Sequence, residues 1–178
     1  FQLGFGLSAF DAGLLVLGVF AGNLAMKPFT SAIMQRWGFR PVLMVNGLIG
    51  VVAIAACALL NERMGWPLIL LILFVGGLSR SMQFTAFNTL GFADVPKAQM
   101  SDASTMFSMF FQLSMGLGVA IAALLLRGSM FVHGNQGQAH TADFQLTFVW
   151  VAIIALLALL DNRRLSAQSG EAVLQRKT

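Results

Sequence analysis

Residues 67–90 read PLILLILFVGGLSRSMQFTAFNTL. The first part, Leu68 to Val75, is uniformly apolar; beyond Gly77 the same run carries Ser79, Arg80, Ser81, Gln83, Thr85, Asn88 and Thr89. At about 1.5 Å of rise per residue the stretch is long enough to cross a hydrocarbon core of about 30 Å as an α-helix. It lacks the apolar–polar alternation that a membrane-spanning strand requires. A helix in lipid satisfies its own backbone, but its polar side chains must face protein, water or headgroups. The unusual number of donors in one half of this segment therefore calls for neighbouring helices or an aqueous cavity.

Four further apolar segments flank it, at about 11–33, 42–60, 104–126 and 144–160. The whole chain of 178 residues is 57% hydrophobic and only 10% charged, whereas soluble domains carry about 25% charged residues. That composition excludes an ordinary soluble enzyme and a disordered chain. The fold class expected is all-α, a polytopic transmembrane helix bundle over 1–160 followed by a polar tail over 161–178. Ser8-Ala9-Phe10-Asp11 fits a capping box, Pro41 and Pro67 fit first-turn prolines, and Gly38 and Gly91 fall just past helix ends. Phe1 to Gly6 reads as the end of a preceding helix with its exit loop, so the chain is expected to begin inside a longer protein. The stretch from Gly128 to Asp143, rich in Gly, Gln and His, reads as an exposed connection.

Charge placement gives an orientation. With the first loop inside, Arg36, Arg40, Lys97, Arg163, Arg164, Arg176 and Lys177 lie on the cytoplasmic side and only Arg63 and Arg127 outside, as the positive-inside rule requires. This predicts an integral plasma (inner) membrane protein with a cytoplasmic C-terminus. The net charge of +4 forms no clustered basic face, so no nucleic-acid partner is expected; the lipid bilayer is the evident one. Cys57 is the single cysteine, and His133 and His140 stand in a cysteine-free loop, which predicts neither a disulfide nor a metal site. There is no phosphate-binding Gly-Lys-Ser loop and no hydrolase-like Ser/His/Asp order. No catalytic residue, enzyme activity or cofactor is expected.

Two cations fall within spans. Either one facing lipid at mid-membrane would cost about 2.5–3.5 kcal/mol. Lys27 can be read as snorkelling to the headgroups, or as part of an Asn23–Lys27–Ser31 face, at four-residue spacing, that lines a cavity. Arg80 sits too deep for easy snorkelling. Around it at helical offsets lie Gly76, Gly77, Gln83, Phe84 and Phe87, a face that serves either interhelical hydrogen bonding or a solute or ion pathway. In the fourth span Ser104, Ser108 and Gln112 repeat every four residues among Phe107, Phe110, Phe111, Met106, Met109 and Met115. That stripe suits helix packing and an adaptable greasy site equally. Gly18 and Gly22 form a GxxxG pair suited to close helix contact. No acidic residue lies deep within a span.

The stretch from Pro28 to Arg40, Pro28-Phe29-Thr30-Ser31-Ala32-Ile33-Met34-Gln35-Arg36-Trp37-Gly38-Phe39-Arg40, resembles the loop signature of the major facilitator superfamily, roughly Gly-x-Leu-x-Asp-Arg-x-Gly-x-Arg. Arg36, Gly38 and Arg40 match it; Ser31, Ile33 and Gln35 stand where the glycine, leucine and acid usually do. Gly77 to Leu90, together with Ser104 to Gly118, is similar to the last helices of the fourteen-helix branch of drug:proton antiporters. The resemblance spans nearly the whole chain. It implies the C-terminal part of a transporter, with the final five helices complete and an N-terminal helical bundle as the missing partner across a central cavity. It also implies alternating access by rocking of the two bundles, protons as the coupling ion, and gating by Arg36, Gly38 and Arg40.

The leading expectation is secondary active transport, namely proton-coupled export of small organic or drug-like solutes. Arg80 would orient a polar or anionic group, with hydrogen bonds from Gln83, Asn88 and Gln112 and an apolar surface from Phe84, Phe87, Phe111 and Met115; Asn23 and Lys27 would complete the cavity. The alternatives are a non-transporting membrane sensor or assembly partner, and an inactive truncated half-transporter.

Overall fold

The computed structural model describes residues 1–135 and 137–161. A one-turn helix, α1 (Gln2–Phe5), ends at Gly6 in the left-handed conformation and leads into α2 (Ala9–Trp37). There follow α3 (Phe39–Cys57), α4 (Trp66–Gly91), a 3-10 turn at Lys97–Gln99, α5 (Met100–Val132) and α6 (Thr141–Asp161). The chain is all-α, and α2 to α6 are each long and apolar enough to span a bilayer. Apart from residue 161, which closes α6, the expected tail over 161–178 lies outside the described residues.

α2, α4, α5 and α6 run past the expected apolar windows at both ends, whereas α3 starts before its window and ends at Cys57, three residues short of Leu60, where the Leu59 and Leu60 N–H groups close a turn on the Ala56 and Cys57 carbonyls. Ser8 caps α2: its Oγ accepts from the Asp11 N–H at 3.1 Å and donates to Asp11 Oδ2 at 2.7 Å. Pro67 occupies the first turn of α4, where its missing N–H costs nothing. Pro28 stands inside α2, and the helix continues through it to Trp37. Gly38 alone separates α2 from α3, at φ 76°, a value that L side chains rarely adopt. Its N–H closes the end of α2 by donating to the Met34 carbonyl at 2.9 Å.

The exposed connection expected from Gly128 to Asp143 is corrected by the structure. Gly128 to Val132 belong to α5, and Asp143 is fully buried in the first turn of α6. One oxygen of Asp143 meets His133 Nδ1 at 2.7 Å, while the other accepts from Asn135 Nδ2 and the His140 N–H, both at 2.8 Å. Four polar residues thus turn the segment back on itself. Thr141 Oγ1 donates to the Gly4 carbonyl at 2.6 Å, and Gln145 Nε2 donates to that of Leu60 at 2.8 Å, which ties this end of the bundle together.

The tightest packing joins α2 to α4. A Cβ built on Gly22 would overlap the Phe74 carbonyl, and one on Gly77 the Val19 carbonyl. Gly18 faces Leu70 and Leu73, while Gly22 faces Phe74 and Leu78; the matching order shows that the two helices run parallel. Backbone therefore lies directly on backbone, as small-residue faces allow in membranes. α4 also packs on α3, α3 on α6, and α6 on α5. One apolar cluster, Met34, Phe39, Val42, Leu43, Met82 and Ala86, fills the end of the bundle at the α2–α3 turn. Another, around Leu15, Leu60 and Ile69, fills the opposite end.

In the full-length protein, Gly22→Val or Gly77→Val should push α2 and α4 apart and destabilise the bundle by about 1–3 kcal/mol or more, as overpacking does. Gly13→Val should be tolerated, since a Cβ there meets open space. Thermal unfolding in detergent, followed by loss of the monodisperse peak, checks this; equal melting of all three variants would contradict the crossing described.

Candidate functional site

Polar groups inside the bundle divide into those engaged by the fold and those left facing open space. Thr30 Oγ1 donates to the Lys27 carbonyl at 2.8 Å, and Thr85 and Thr89 donate to Ser81 and Thr85 carbonyls at 2.9 Å. Ser108 does the same to Ser104 at 2.8 Å. These hydroxyls are absorbed by their own helices. Between helices, Asn46 Nδ2 donates to the Ser79 carbonyl at 2.9 Å and to Gln83 Oε1 at 3.0 Å, and Ser79 Oγ returns a bond to the Asn46 carbonyl at 2.9 Å. This reciprocal knot fixes the rotation of α3 against α4. Gly50 is part of it, because a Cβ there would come within 2.7 Å of Ser79 Oγ.

A cavity of about 810 Å³ opens beside the knot. Asn23 and Lys27 of α2 line it together with Arg80, Gln83, Phe84 and Phe87 of α4 and Phe111 and Met115 of α5. Eight residues expected at the site from the sequence therefore meet in one place. Ser31, on the same expected face of α2, is not among the lining residues. Asn88 and Gln112 line a second, smaller cavity of about 250 Å³ with Ser104 and Ser108, and Phe84 and Phe111 belong to both. The rings of Phe84 and Phe111 meet edge to face with centroids 5.2 Å apart. The same spacing joins Phe92 to Phe107, and Phe107 stacks over Phe111 at 6.5 Å. Phenylalanines thus bridge α4 to α5 where the two helices otherwise stand apart.

The far wall consists of Gly47, Gly50, Val51 and Ile54 of α3 and Ala155, Ala158 and Leu159 of α6. The sequence reading missed this wall, and it missed Asn46. Asn46 carried a signal, being a lone amide in an apolar span; the glycines and alanines carried none, since small residues serve packing everywhere in membrane helices.

No described residue makes an ion pair with Lys27 or Arg80, and no carboxylate lines either cavity among the described residues. A volume of this size falls within the range of small-molecule sites, about 300–1,000 Å³. Its chemistry is two cations and amides beside aromatic and thioether surface. Arg36, Gly38 and Arg40 lie elsewhere, at the α2–α3 turn, with the side chains of Arg36 and Arg40 exposed and Met34 and Phe39 buried beneath the turn.

Residues 1–170 match the family model described as Major Facilitator Superfamily. Among curated relatives, the chain is 33% identical over 99% of its length to the "Putative multidrug resistance protein MdtD" of Klebsiella pneumoniae subsp. pneumoniae. It is 34% identical over 99% of its length to the protein of the same name from Citrobacter koseri, and 34% over 95% to that from Yersinia enterocolitica. The chain spans 38% of the length of the first two and 36% of the third. No solved structure matches it.

Asn46→Ala should remove the two amide bonds of the α3–α4 knot, leaving the Ser79 Oγ bond to the residue-46 carbonyl, and lower stability by about 0.6–1.7 kcal/mol, from the mean to the maximum found for an interhelical hydrogen bond in a membrane. Gln83→Ala should lose less, because Asn46 keeps its bond to the Ser79 carbonyl. Unfolding of the full-length protein in mixed micelles tests the order of the two losses.

Proposed function

Because the chain belongs to the Major Facilitator Superfamily, we propose that it is the C-terminal part of a secondary active transporter that exports small organic or drug-like solutes in exchange for protons. The observation that carries this reading is the cavity of about 810 Å³ inside a bundle of membrane-spanning length, lined by Lys27 and Arg80, amides and aromatic rings. The name of the relatives, "Putative multidrug resistance protein MdtD", agrees in solute class. An N-terminal helical bundle supplies the other wall of the translocation path, and the two halves rock about the cavity to give access to one side at a time.

In this reading the protein resides in the inner membrane, with 161–178 as a cytoplasmic tail. The Arg36–Gly38–Arg40 turn then lies on the cytoplasmic side. Gly38 holds α2 and α3 in a one-residue connection, so the exposed Arg36 and Arg40 move with both helices when the bundle tilts. Their place away from the cavity suits a role in gating. Asn23, Lys27, Arg80, Gln83, Phe84 and Phe87 contact the solute, and Asn88 and Gln112 contact it when it reaches the adjoining space.

Cells producing the full-length protein should extrude the neutral dye Nile red in a manner abolished by an uncoupler. Arg36→Gln should slow that efflux about tenfold while changing dye affinity of the purified protein less than twofold, the pattern of a residue that acts on cycling and not on binding. Dye binding without any uncoupler-sensitive flux would overturn the transport reading; equal losses of rate and affinity would overturn the gating role.

A further inference from the structure

Two basic side chains open on one cavity, Lys27 from α2 and Arg80 from α4. The α2–α4 crossing sets their levels. Gly22 lies beside Phe74 and Leu78, and Gly77 beside Val19 and Asn23, so Lys27 and Arg80 each stand about one turn further along two parallel helices. Every acid among the described residues whose side chain is placed is elsewhere or already engaged. Asp11 and Asp102 are in the first turns of α2 and α5, and Glu62 and Asp94 are in connections. Both oxygens of Asp143 are taken by His133, Asn135 and His140. Like charges facing one low-dielectric space repel, and the repulsion is relieved when an anion enters between them. Guanidinium and ammonium groups both donate to carboxylate, sulfonate or phosphate oxygens, the guanidinium bidentately.

We propose that this cavity selects solutes in which an anionic group is joined to an apolar body, the anion held by Arg80 and Lys27 and the body lying on Phe84, Phe87, Phe111 and Met115. The assignment rests on the transporter reading and narrows its solute class. An anionic lipid headgroup shares this chemistry with a free anionic amphiphile, and the two sources are separable by experiment.

The test uses full-length protein in phosphatidylcholine nanodiscs and three probes with one fluorescent body: 1-pyrenebutyrate, 1-pyrenebutanol and the 4-(1-pyrenyl)butyl-trimethylammonium cation. Binding is read by anisotropy against protein-free nanodiscs. The butyrate should bind at least about tenfold more tightly than the alcohol, and the cation more weakly than either. Arg80→Gln and Lys27→Gln should each erode the butyrate's advantage and leave the alcohol's affinity within about twofold, while Arg80→Lys should retain most of it. Equal binding of the three probes, a preference for the cation, binding of none, or an undiminished butyrate preference in the Arg80→Gln, Lys27→Gln double variant would overturn the assignment. The first is also the result expected if an acid elsewhere in the full-length chain neutralises Arg80. Repeating the titration with phosphatidylglycerol in the nanodiscs, with the Arg80→Gln, Lys27→Gln double variant as the control for surface-potential repulsion, identifies the source: a loss of butyrate affinity beyond the control's means that lipid headgroups occupy the cavity, and a loss equal to the control's means a free solute does. Proteoliposome flux separates the two readings. Tight, Arg80-dependent butyrate binding without flux defeats transport and leaves the charge selectivity standing; flux of all three probes at equal rates does the reverse.

Discussion

The contact of backbone on backbone where α2 crosses α4 constrains everything else in the bundle. Lipid offers no hydrophobic driving force for joining helices, so association depends on close packing and hydrogen bonds. Gly22 and Gly77 let the two helices approach until the carbonyls of Phe74 and Val19 fill the space a Cβ would take. That approach fixes the register of α2 on α4, and the register puts Asn23 and Lys27 on the same wall as Arg80 and Gln83. α3 is then oriented on α4 by the Asn46–Ser79–Gln83 knot. α6 follows through Gly47, whose absent side chain leaves room for Leu159. The site is a consequence of glycine placement as much as of the charged residues that make it recognisable.

The polar residues of α4 illustrate how one helix serves two ends. Ser79 and the amide oxygen of Gln83 face α3 and are held there, while Thr85 and Thr89 bond within the helix. Arg80 and the phenylalanines at 84 and 87 occupy the intervening face and open on the cavity. Interhelical hydrogen bonding and a face open to a cavity meet on the same stretch of helix, and Ser79 and Gln83 belong to both.

The all-α membrane fold was legible because a backbone in lipid has few ways to satisfy itself, and the five apolar segments left one. Helix lengths were less legible: apolar windows measure the hydrocarbon core, while α5 continues beyond its window as far as Val132. The GxxxG face of α2 could be seen in sequence, but its partner could not, since periodicity identifies a face without saying which helix meets it. The burial of Asp143 was hidden for a similar reason. Its neighbours His133, Asn135 and His140 have loop-like composition, and only their convergence on one carboxylate makes the segment ordered. Charges in apolar runs pointed to the α4 wall of the cavity; Gly47, Gly50, Ala155 and Ala158, which also line it, are chemically silent.

The α2–α4 crossing also has a consequence for how the protein is made. Its two partners are separated in the chain by the whole of α3, so the glycine groove of α2 enters the membrane before the surface that fills it exists. At about 5–20 residues per second, synthesis from Trp37 to Gly91 takes roughly 3–11 s. During that interval α2 sits in the bilayer with Lys27 inside the span and no α4 against its small-residue face. Biogenesis of this bundle therefore passes through an early stage in which the glycine face of α2 lacks the helix that fills it.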